Sequence, residues 1–314
     1  MSLRVASYNP REALGDESRF EGVVDFTKAL DPDVAVFHSA FWTQVDGETP
    51  RDGETAAVLE ESVRRLGKLG YAVTVAGEKD STNRPDKTGF VGIVREGLGT
   101  GGVKVARFRQ GFMATVTDPE TKAALRIGGR HMPDTDETHR LGELCDLFPD
   151  YENVRRGGHC IRTIDYNPGV LLNDDNAMHG ESKIARTLRL IRPLTDRVPD
   201  YADRDFNGAT GLDKLRGAAH LLQSLAWMAD GKTMEWLGLM GFKDADPERQ
   251  PTVHLGRWGV AQLDHILYNS RNVHASGHRV HREVGGSDHW PISATVTPVV
   301  SADGWYVGES VSKL

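Results

Sequence analysis

Cysteine is scarce in this chain, with only Cys145 and Cys160 among 314 residues. Two distant cysteines do not build a disulfide framework, and no Cys-x-x-Cys pair suggests a metal site. We interpret both as reduced thiols, which are typical of a reducing compartment. The sequence therefore predicts a cytoplasmic protein.

Long apolar runs are also missing. The longest, such as Val34-Ala35-Val36-Phe37, fall far short of the ~20 apolar residues that a membrane-spanning helix needs. The first residues lack the apolar segment of a secretory signal and are typical of a strand instead. We expect no membrane partner.

The chain also lacks an excess of positive charge. The chain has 38 Lys and Arg against 45 Asp and Glu, for a net charge of −7. Sequence-independent binding to duplex nucleic acid depends on a basic surface. A nucleic-acid partner is therefore less expected than a small anionic or phosphorylated substrate, which a few arginines can hold.

What is present is typical of a folded α/β protein, with 39% hydrophobic and 26% charged residues. Apolar spacing predicts helices over 20–30 and 54–69. It predicts strands over 3–8, 34–37, 71–76, 89–95, 103–107, 112–117, 123–128, 169–172, 262–268 and 292–297. No linker interrupts this order, so we predict one domain over 1–300, with two packed sheets and outer helices, and a tail over 301–314.

The C-terminal part carries the most informative polar motif. Ser287-Asp288-His289 precedes the last predicted strand, and Asp264 lies 25 residues earlier on another strand. A histidine can orient a reactant or transfer a proton when a carboxylate fixes its tautomer. The spacing predicts a His289–Asp264 pair.

These residues resemble the C-terminal signature of the endonuclease/exonuclease/phosphatase superfamily, which has a deoxyribonuclease I-like fold. Four more stretches resemble family motifs in the expected order: 7–9, 31–37, 129–133 and 170–177. The resemblance covers residues 3 to about 297. It implies a four-layer α/β/β/α sandwich and hydrolysis of a phosphodiester or phosphomonoester.

The family's Asp-x-Asn motif has three candidates in this chain. The stretch 205–207 is closest in letters, but its supposed strand would bury acidic residues, which is costly. The stretch 165–167 follows a segment whose sequence predicts a strand only weakly. The pair Asp174 and Asn176 follows an apolar predicted strand, 169–172. This pair is therefore preferred over Asp165/Asn167 and Asp205/Asn207.

The resemblance also implies roles for individual residues. Family carboxylates hold Mg²⁺ or Mn²⁺, hard cations that prefer oxygen ligands. By resemblance, Asp174 positions the attacking water and binds metal, and Asp288 helps to bind metal. Asn9 and Asn176 hold phosphate oxygens. His131, together with His289 oriented by Asp264, binds phosphate or transfers protons.

One departure from the family pattern changes the expected chemistry. Phe37-His38-Ser39 stands where the family has Leu-Gln-Glu, so the usual metal-binding Glu is replaced by Ser39. Arg11 stands two residues after Asn9, where some nucleases have an acidic residue. Either His38 ligates a softer ion, or Arg11 replaces the ion as a fixed cation, or the site has lost activity.

The sequence thus predicts a phosphoesterase-like hydrolase with an altered metal site, which depends on Mg²⁺ or Mn²⁺ or works without metal. The alternatives are an enzyme of another reaction class that reuses the anion pocket without metal, as in specialised biosynthesis, and a catalytically dead binding protein. Five further histidines lack metal-binding spacing and are predicted to lie in exposed loops: His254, His265, His274, His278 and His281.

Overall fold

The computed structural model describes residues 1–44, 46–47, 49–79, 85–104, 111–117, 124–132, 170–175, 231–254 and 260–299. Several predictions fall outside these residues. They concern the two cysteines, the tail over 301–314, and the Asp-x-Asn residues Asn176, Asp165, Asn167, Asp205 and Asn207.

Strands predominate among the described elements. In chain order these are β1 (Leu3–Tyr8), α1 (Phe20–Leu30), β2 (Val34–Trp42), α2 (Gly53–Lys68), β3 (Tyr71–Lys79), β4 (Pro85–Arg95), β5 (Gly99–Lys104), β6 (Gly111–Thr117), β7 (Ala124–Met132), β8 (Val170–Asp175), α3 (Lys232–Leu239), β9 (Phe242–Asp244), β10 (Val253–His254), β11 (Val260–Ala261), β12 (Asp264–Asn269), β13 (Val273–Val280) and β14 (Ile292–Pro298). A 3₁₀ turn, Ala13–Gly15, precedes α1.

The strands form two mixed six-stranded sheets. The first has the order β13-β14-β1-β2-β4-β3, and the second has the order β5-β6-β7-β8-β12-β9. In the first sheet, β1 runs parallel to β2 and antiparallel to β14. In the second, β8 runs parallel to β7 and antiparallel to β12. Strands β10 and β11 form a separate small ribbon.

Two apolar layers hold the elements together. The layer between the sheets takes residues from both, including Val5, Ile127, Leu172 and Ile266. The second layer lies between the first sheet and α1 and α2. Because successive strand residues point to opposite faces, β1 serves both layers. Each fully buried apolar side chain of this size contributes about 1.5–3 kcal/mol.

Helix α2 begins where the sequence supplies a cap. The side chain of Asp52 accepts a hydrogen bond from the Thr55 N–H at 2.7 Å, which satisfies one otherwise unpaired amide of the first turn. The helix ends before Gly70, whose φ of 87° is left-handed and costs glycine little. No helix among the described residues is long and apolar enough to cross a bilayer.

The bounds of several strands differ from those predicted. Strand β2 continues to Trp42 because polar His38 and Ser39 are buried within it. Strand β5 spans Gly99–Lys104, not 103–107, and β4 begins at Pro85, four residues before the predicted start at 89. Strand β13 was missed because its polar, glycine-containing sequence lies at a sheet edge and lacks apolar alternation.

The prediction of exposed loop histidines was wrong in part. His254, His265, His274 and His278 lie on strands, although His254 and His274 are exposed as predicted. His281 does lie in a loop, but it is buried, and His265 is fully buried. His265 Nδ1 lies 2.7 Å from Asp244 Oδ2, so this ring nitrogen has a hydrogen-bond partner inside the protein. The spacing of apolar residues in the sequence does not predict a buried histidine.

Candidate active site

A histidine–aspartate pair, half-buried at His289 and buried at Asp264, lies at the start of β12. Asp264, the first residue of that strand, is 1% exposed, and each of its carboxylate oxygens lies 3.0 Å from His289 Nδ1. A carboxylate beside Nδ1 favours the tautomer that carries its proton there. This leaves Nε2 of a neutral His289 able to accept a proton.

A short strand fixes both members of the pair. Thr252 Oγ1 accepts the N–H groups of Leu263 and Asp264 at 3.0 and 2.9 Å, and the Thr252 carbonyl accepts the Trp290 N–H at 2.7 Å. The next residue, Val253, forms an isolated β-bridge with His289. The segment therefore anchors the backbone on both sides of the histidine–aspartate pair.

The loop after β1 closes the other side of the site. Asn9 is buried, and its side-chain oxygen accepts the Arg11 N–H at 3.0 Å. The Asn9 carbonyl accepts a hydrogen bond from Ser287 Oγ at 2.8 Å. The residue that follows β1 is thereby hydrogen-bonded to the Ser287-Asp288-His289 loop.

Arg11 spans this junction with its side chain. Its Nη1 lies 2.8 Å from Asp288 Oδ2, and the two side chains are 60% and 37% exposed. Such exposed ion pairs stabilise a fold by only about 0–1 kcal/mol. The pair holds the Arg11 guanidinium against the Ser287-Asp288-His289 loop.

The backbone beneath Arg11 is unusual. Arg11, Glu12 and Ser39 have φ values of 51°, 61° and 44°, a left-handed conformation that costs non-glycine residues about 1–2 kcal/mol each. The Glu12 N–H donates to the Ser39 carbonyl at 2.6 Å, so all three belong to one unit. Backbone strain of this kind concentrates at functional sites.

Burial alters two acids in this region. It raises the pKa of Glu12, although Arg11 and Arg19 oppose the shift. Burial also raises the pKa of Tyr8 to about 12, against the opposing charge of Arg19. Tyr8 therefore keeps its proton at neutral pH, and Glu12 keeps its proton to a higher pH than an exposed glutamate.

Three predicted residues share one line across the second sheet. Asp174 on β8 pairs with Asp264 on β12 and, on its other side, with His131 on β7. The order of strands thus brings the backbones of the predicted residues to adjacent positions. Asn9 and His289 lie on the first-sheet side of the same region.

Comparison with known proteins identifies the architecture. No family model matches the chain, and no curated protein matches it by sequence. Solved structures match over nearly its whole length. ANGEL2, a 2',3'-cyclic phosphatase in complex with adenosine-2',3'-vanadate, is 14% identical with a TM-score of 0.54, over 94% of this chain and 95% of that chain. The human Nocturnin catalytic domain with bound sulfate is 14% identical with a TM-score of 0.53, over 95% and 94%.

A third match carries the family's name in its description. The endonuclease/exonuclease/phosphatase from Beutenbergia cavernae is 15% identical with a TM-score of 0.51, over 95% of this chain and 72% of that chain. This chain has the endonuclease/exonuclease/phosphatase fold. The predicted four-layer sandwich is confirmed.

The endonuclease/exonuclease/phosphatase fold implies a divalent metal, but the described side chains do not fit one. Mg²⁺ and Mn²⁺ prefer several anionic oxygen ligands. Here Ser39 is neutral, the Asp288 carboxylate accepts a hydrogen bond from Arg11, and His38 is buried with Nε2 3.2 Å from Ser7 Oγ. Within the described residues, no three His, Cys, Asp or Glu side chains converge as a metal site.

Sequence reasoning missed three residues that shape this version of the fold. Glu12 belongs to the left-handed unit, and Thr252 anchors the histidine–aspartate pair. Arg19 Nη2 donates to the carbonyls of Pro10, at 3.1 Å, and of Gly286. Of these three, only Glu12 could have been singled out from the sequence, because it is an acidic residue three positions after Asn9. Nothing in the sequence around Arg19 or Thr252 indicates these backbone contacts.

Proposed function

We propose that this chain is a phosphoesterase-like hydrolase acting on a small phosphodiester or phosphomonoester. The observation that carries the proposal is the His289–Asp264 hydrogen bond beside Asn9 and the Arg11 guanidinium. An imidazole nitrogen that can accept a proton and a neighbouring cation suit an anionic ester. Solved structures with the same fold include one described as a 2',3'-cyclic phosphatase and one that holds a sulfate anion, which supports this substrate class.

In the proposed reaction, His289 Nε2 exchanges a proton with the reacting oxygen while Asp264 stabilises the charged imidazole. Proton transfer by a positioned side chain contributes about 10²–10⁴-fold to a rate. Asp174 orients the attacking water, and His131 binds the phosphate or assists proton transfer. Asn9 and Asn176 hold phosphate oxygens through their side-chain amides.

Arg11 takes the place of the metal in this proposal. The loss of a glutamate at Ser39 removes one negative charge, and the gain of Arg11 adds one positive charge, so the changes compensate electrostatically. A guanidinium also matches two phosphate oxygens with parallel hydrogen bonds. Asp288 then acts as the partner that aligns Arg11, not as a metal ligand.

A panel of chromogenic esters tests the proposal. The full chain should hydrolyse p-nitrophenyl phosphate or bis-p-nitrophenyl phosphate in the presence of EDTA, and His289→Ala should remove that activity. Activity that disappears with EDTA and returns with Mg²⁺ would contradict the role of Arg11. Tight phosphate binding without turnover of any ester would instead identify a binding protein. A cytoplasmic location stays a prediction.

A further inference from the structure

A cavity lies on the face of the first sheet that points away from the inter-sheet core. It has a volume of about 620 Å³ and is bounded by α1 and by strands β13 and β14. Pockets that take small molecules measure about 300–1,000 Å³. The lining residues that matter here are Arg4, Phe26, Arg279, His281, Glu283 and Ser293. None of them belongs to the candidate active site.

Three of these residues form a hydrogen-bonded chain. Ser293 Oγ lies 2.8 Å from His281 Nε2, and His281 Nδ1 lies 3.4 Å from Glu283 Oε1. A hydroxyl beside one imidazole nitrogen, with a carboxylate beside the other, is the arrangement that activates a serine for attack on an acyl carbon. That arrangement is recognised by geometry and not by order in the sequence.

The fold explains why these side chains meet. In β14, Ile292 and Ala294 face the inter-sheet core, so Ser293 points to the opposite face, toward the cavity. His281 follows β13 directly, and its N–H donates to the Pro291 carbonyl at 2.8 Å. The Phe26 ring meets the imidazole edge to face at a centroid distance of 5.3 Å. The histidine is therefore held on both sides before any ligand binds.

The charge states suit the same role. Burial lowers the pKa of His281, so the imidazole is neutral at neutral pH. The backbone N–H of Glu283 itself is the main cause that lowers the pKa of that carboxyl, which is therefore ionised. Arg279 Nη2 lies 2.8 Å from Glu283 Oε1 and adds a positive charge on the solvent side. Under these conditions Nδ1 carries the histidine proton and Nε2 accepts the Ser293 hydroxyl.

We propose that Ser293, His281 and Glu283 form a second reactive site, at which Ser293 attacks small carboxylic esters. In the first step the Ser293 Oγ–C bond forms while the hydroxyl proton passes to His281 Nε2. The bond from the carbonyl carbon to the alcohol oxygen breaks, and His281 returns the proton to the departing alkoxide. Water then attacks the acyl-serine in the same way, which releases the carboxylic acid and restores the hydroxyl.

The choice of probe follows from the cavity's composition. Loss of one oxyanion donor slows acyl transfer by about 10²–10³-fold in serine hydrolases. The cationic donors among the lining residues are the side chains of Arg4 and Arg279, and both already bind oxygens of the protein. An electrophile with a good leaving group is therefore the sensitive test. A fluorophosphonate forms an Oγ–P bond and expels fluoride.

The experiment is to label the full chain with a biotinylated fluorophosphonate and to map the modified residue by mass spectrometry. We expect modification at Ser293. Ser293→Ala should abolish it, and His281→Gln should slow it by about 10²-fold, because general-base assistance contributes 10²–10⁴-fold. Glu283→Gln should slow it less, since the carboxylate acts only through the imidazole.

Two controls separate this site from others. Ser270 is a half-buried serine whose hydroxyl donates to the Gly241 carbonyl and not to a histidine, so Ser270→Ala should leave labelling unchanged. Labelling of Ser293 should also persist in His289→Ala. Modification at another serine only, or no modification of the folded wild-type chain, overturns the proposal, and neither result depends on whether the chain hydrolyses phosphate esters.

Discussion

The two sides of the candidate active site are built differently. On the C-terminal side, buried Asp264 and half-buried His289 are directly hydrogen-bonded and anchored through Thr252 and Val253. On the N-terminal side, Arg11 and Glu12 lie in a strained left-handed turn with an exposed guanidinium. The first side carries the sequence motif that resembles the family, whereas the second departs from that resemblance.

This difference shows which part of the fold tolerates chemical change. The histidine side depends on hydrogen bonds from several strands, and removal of any partner leaves a buried polar group that costs about 1–3 kcal/mol. The arginine side is a surface turn, where a changed charge faces solvent and costs little. Substitutions on the two sides should therefore have effects of different kinds.

The largest expected effect comes from Asp264→Asn. An amide has no negative charge to stabilise the imidazolium, and it favours the wrong tautomer of His289. We expect kcat for the phosphate ester to fall by about 10²–10⁴-fold with a smaller change in KM. Steady-state kinetics on the most active ester of the panel measures both constants.

Asp244→Asn is the matched control for that substitution. Asp244 forms the same kind of contact with His265 Nδ1 at 2.7 Å, but outside the candidate site. It should lower the unfolding temperature without a comparable loss of kcat. Equal losses of kcat in the two variants would show that the histidine–aspartate pair acts on stability alone.

A smaller effect is expected from Arg11→Gln. Loss of the guanidinium removes a charge-assisted contact worth about 1.5–3 kcal/mol, so the inhibition constant for inorganic phosphate should rise about 10–100-fold. Arg249→Gln is the control, because Arg249 also has a left-handed φ, of 55°, and lies on an exposed loop. An unchanged inhibition constant in Arg11→Gln would remove arginine from the proposed anion site.

The smallest effect concerns the dependence of stability on pH. The folded chain raises the pKa of Glu12 above its ordinary value of 4.5. Between that value and the raised pKa, the folded state binds a proton that the unfolded state releases, so the free energy of unfolding falls as pH increases. Glu12→Gln lacks this titration. The wild-type Tm minus the variant Tm should decrease from pH 4 to pH 7, by at most about 3 °C. An increase would mean that the pKa of Glu12 is lowered instead.

The sequence predicted most of the fold because apolar periodicity dominates it. The alternation in β1 and β14 and the helical spacing of α1 were readable directly. Strand β13 was not, because an edge strand with one solvent face needs few apolar residues. The extension of β2 was missed for a different reason, since it contains the polar residue His38, which is buried with its Nε2 3.2 Å from Ser7 Oγ on the neighbouring strand.

The site was predictable where motifs are local and less so where contacts are distant. The pairing of Asp264 with His289 followed from a recognisable spacing. The contact between Arg11 and Asp288 joins residues 277 positions apart and has no local signal. The Ser293–His281–Glu283 chain likewise depends on the register of two strands and on a turn, which composition and periodicity do not specify.

The anchoring of His289 through Thr252 has a practical consequence for protein engineering. Thr252 and Val253 hold the histidine through contacts that do not involve the loop after β1. Ser287 also links His289 to this loop, because its hydroxyl donates to the Asn9 carbonyl and accepts the His289 N–H at 3.1 Å. New residues at positions 11 and 12 can therefore be chosen for a different ester, provided that Asn9 keeps its contact with Ser287. In the proposed function, the residues that select the substrate and the residues that react with it then lie on separately anchored segments.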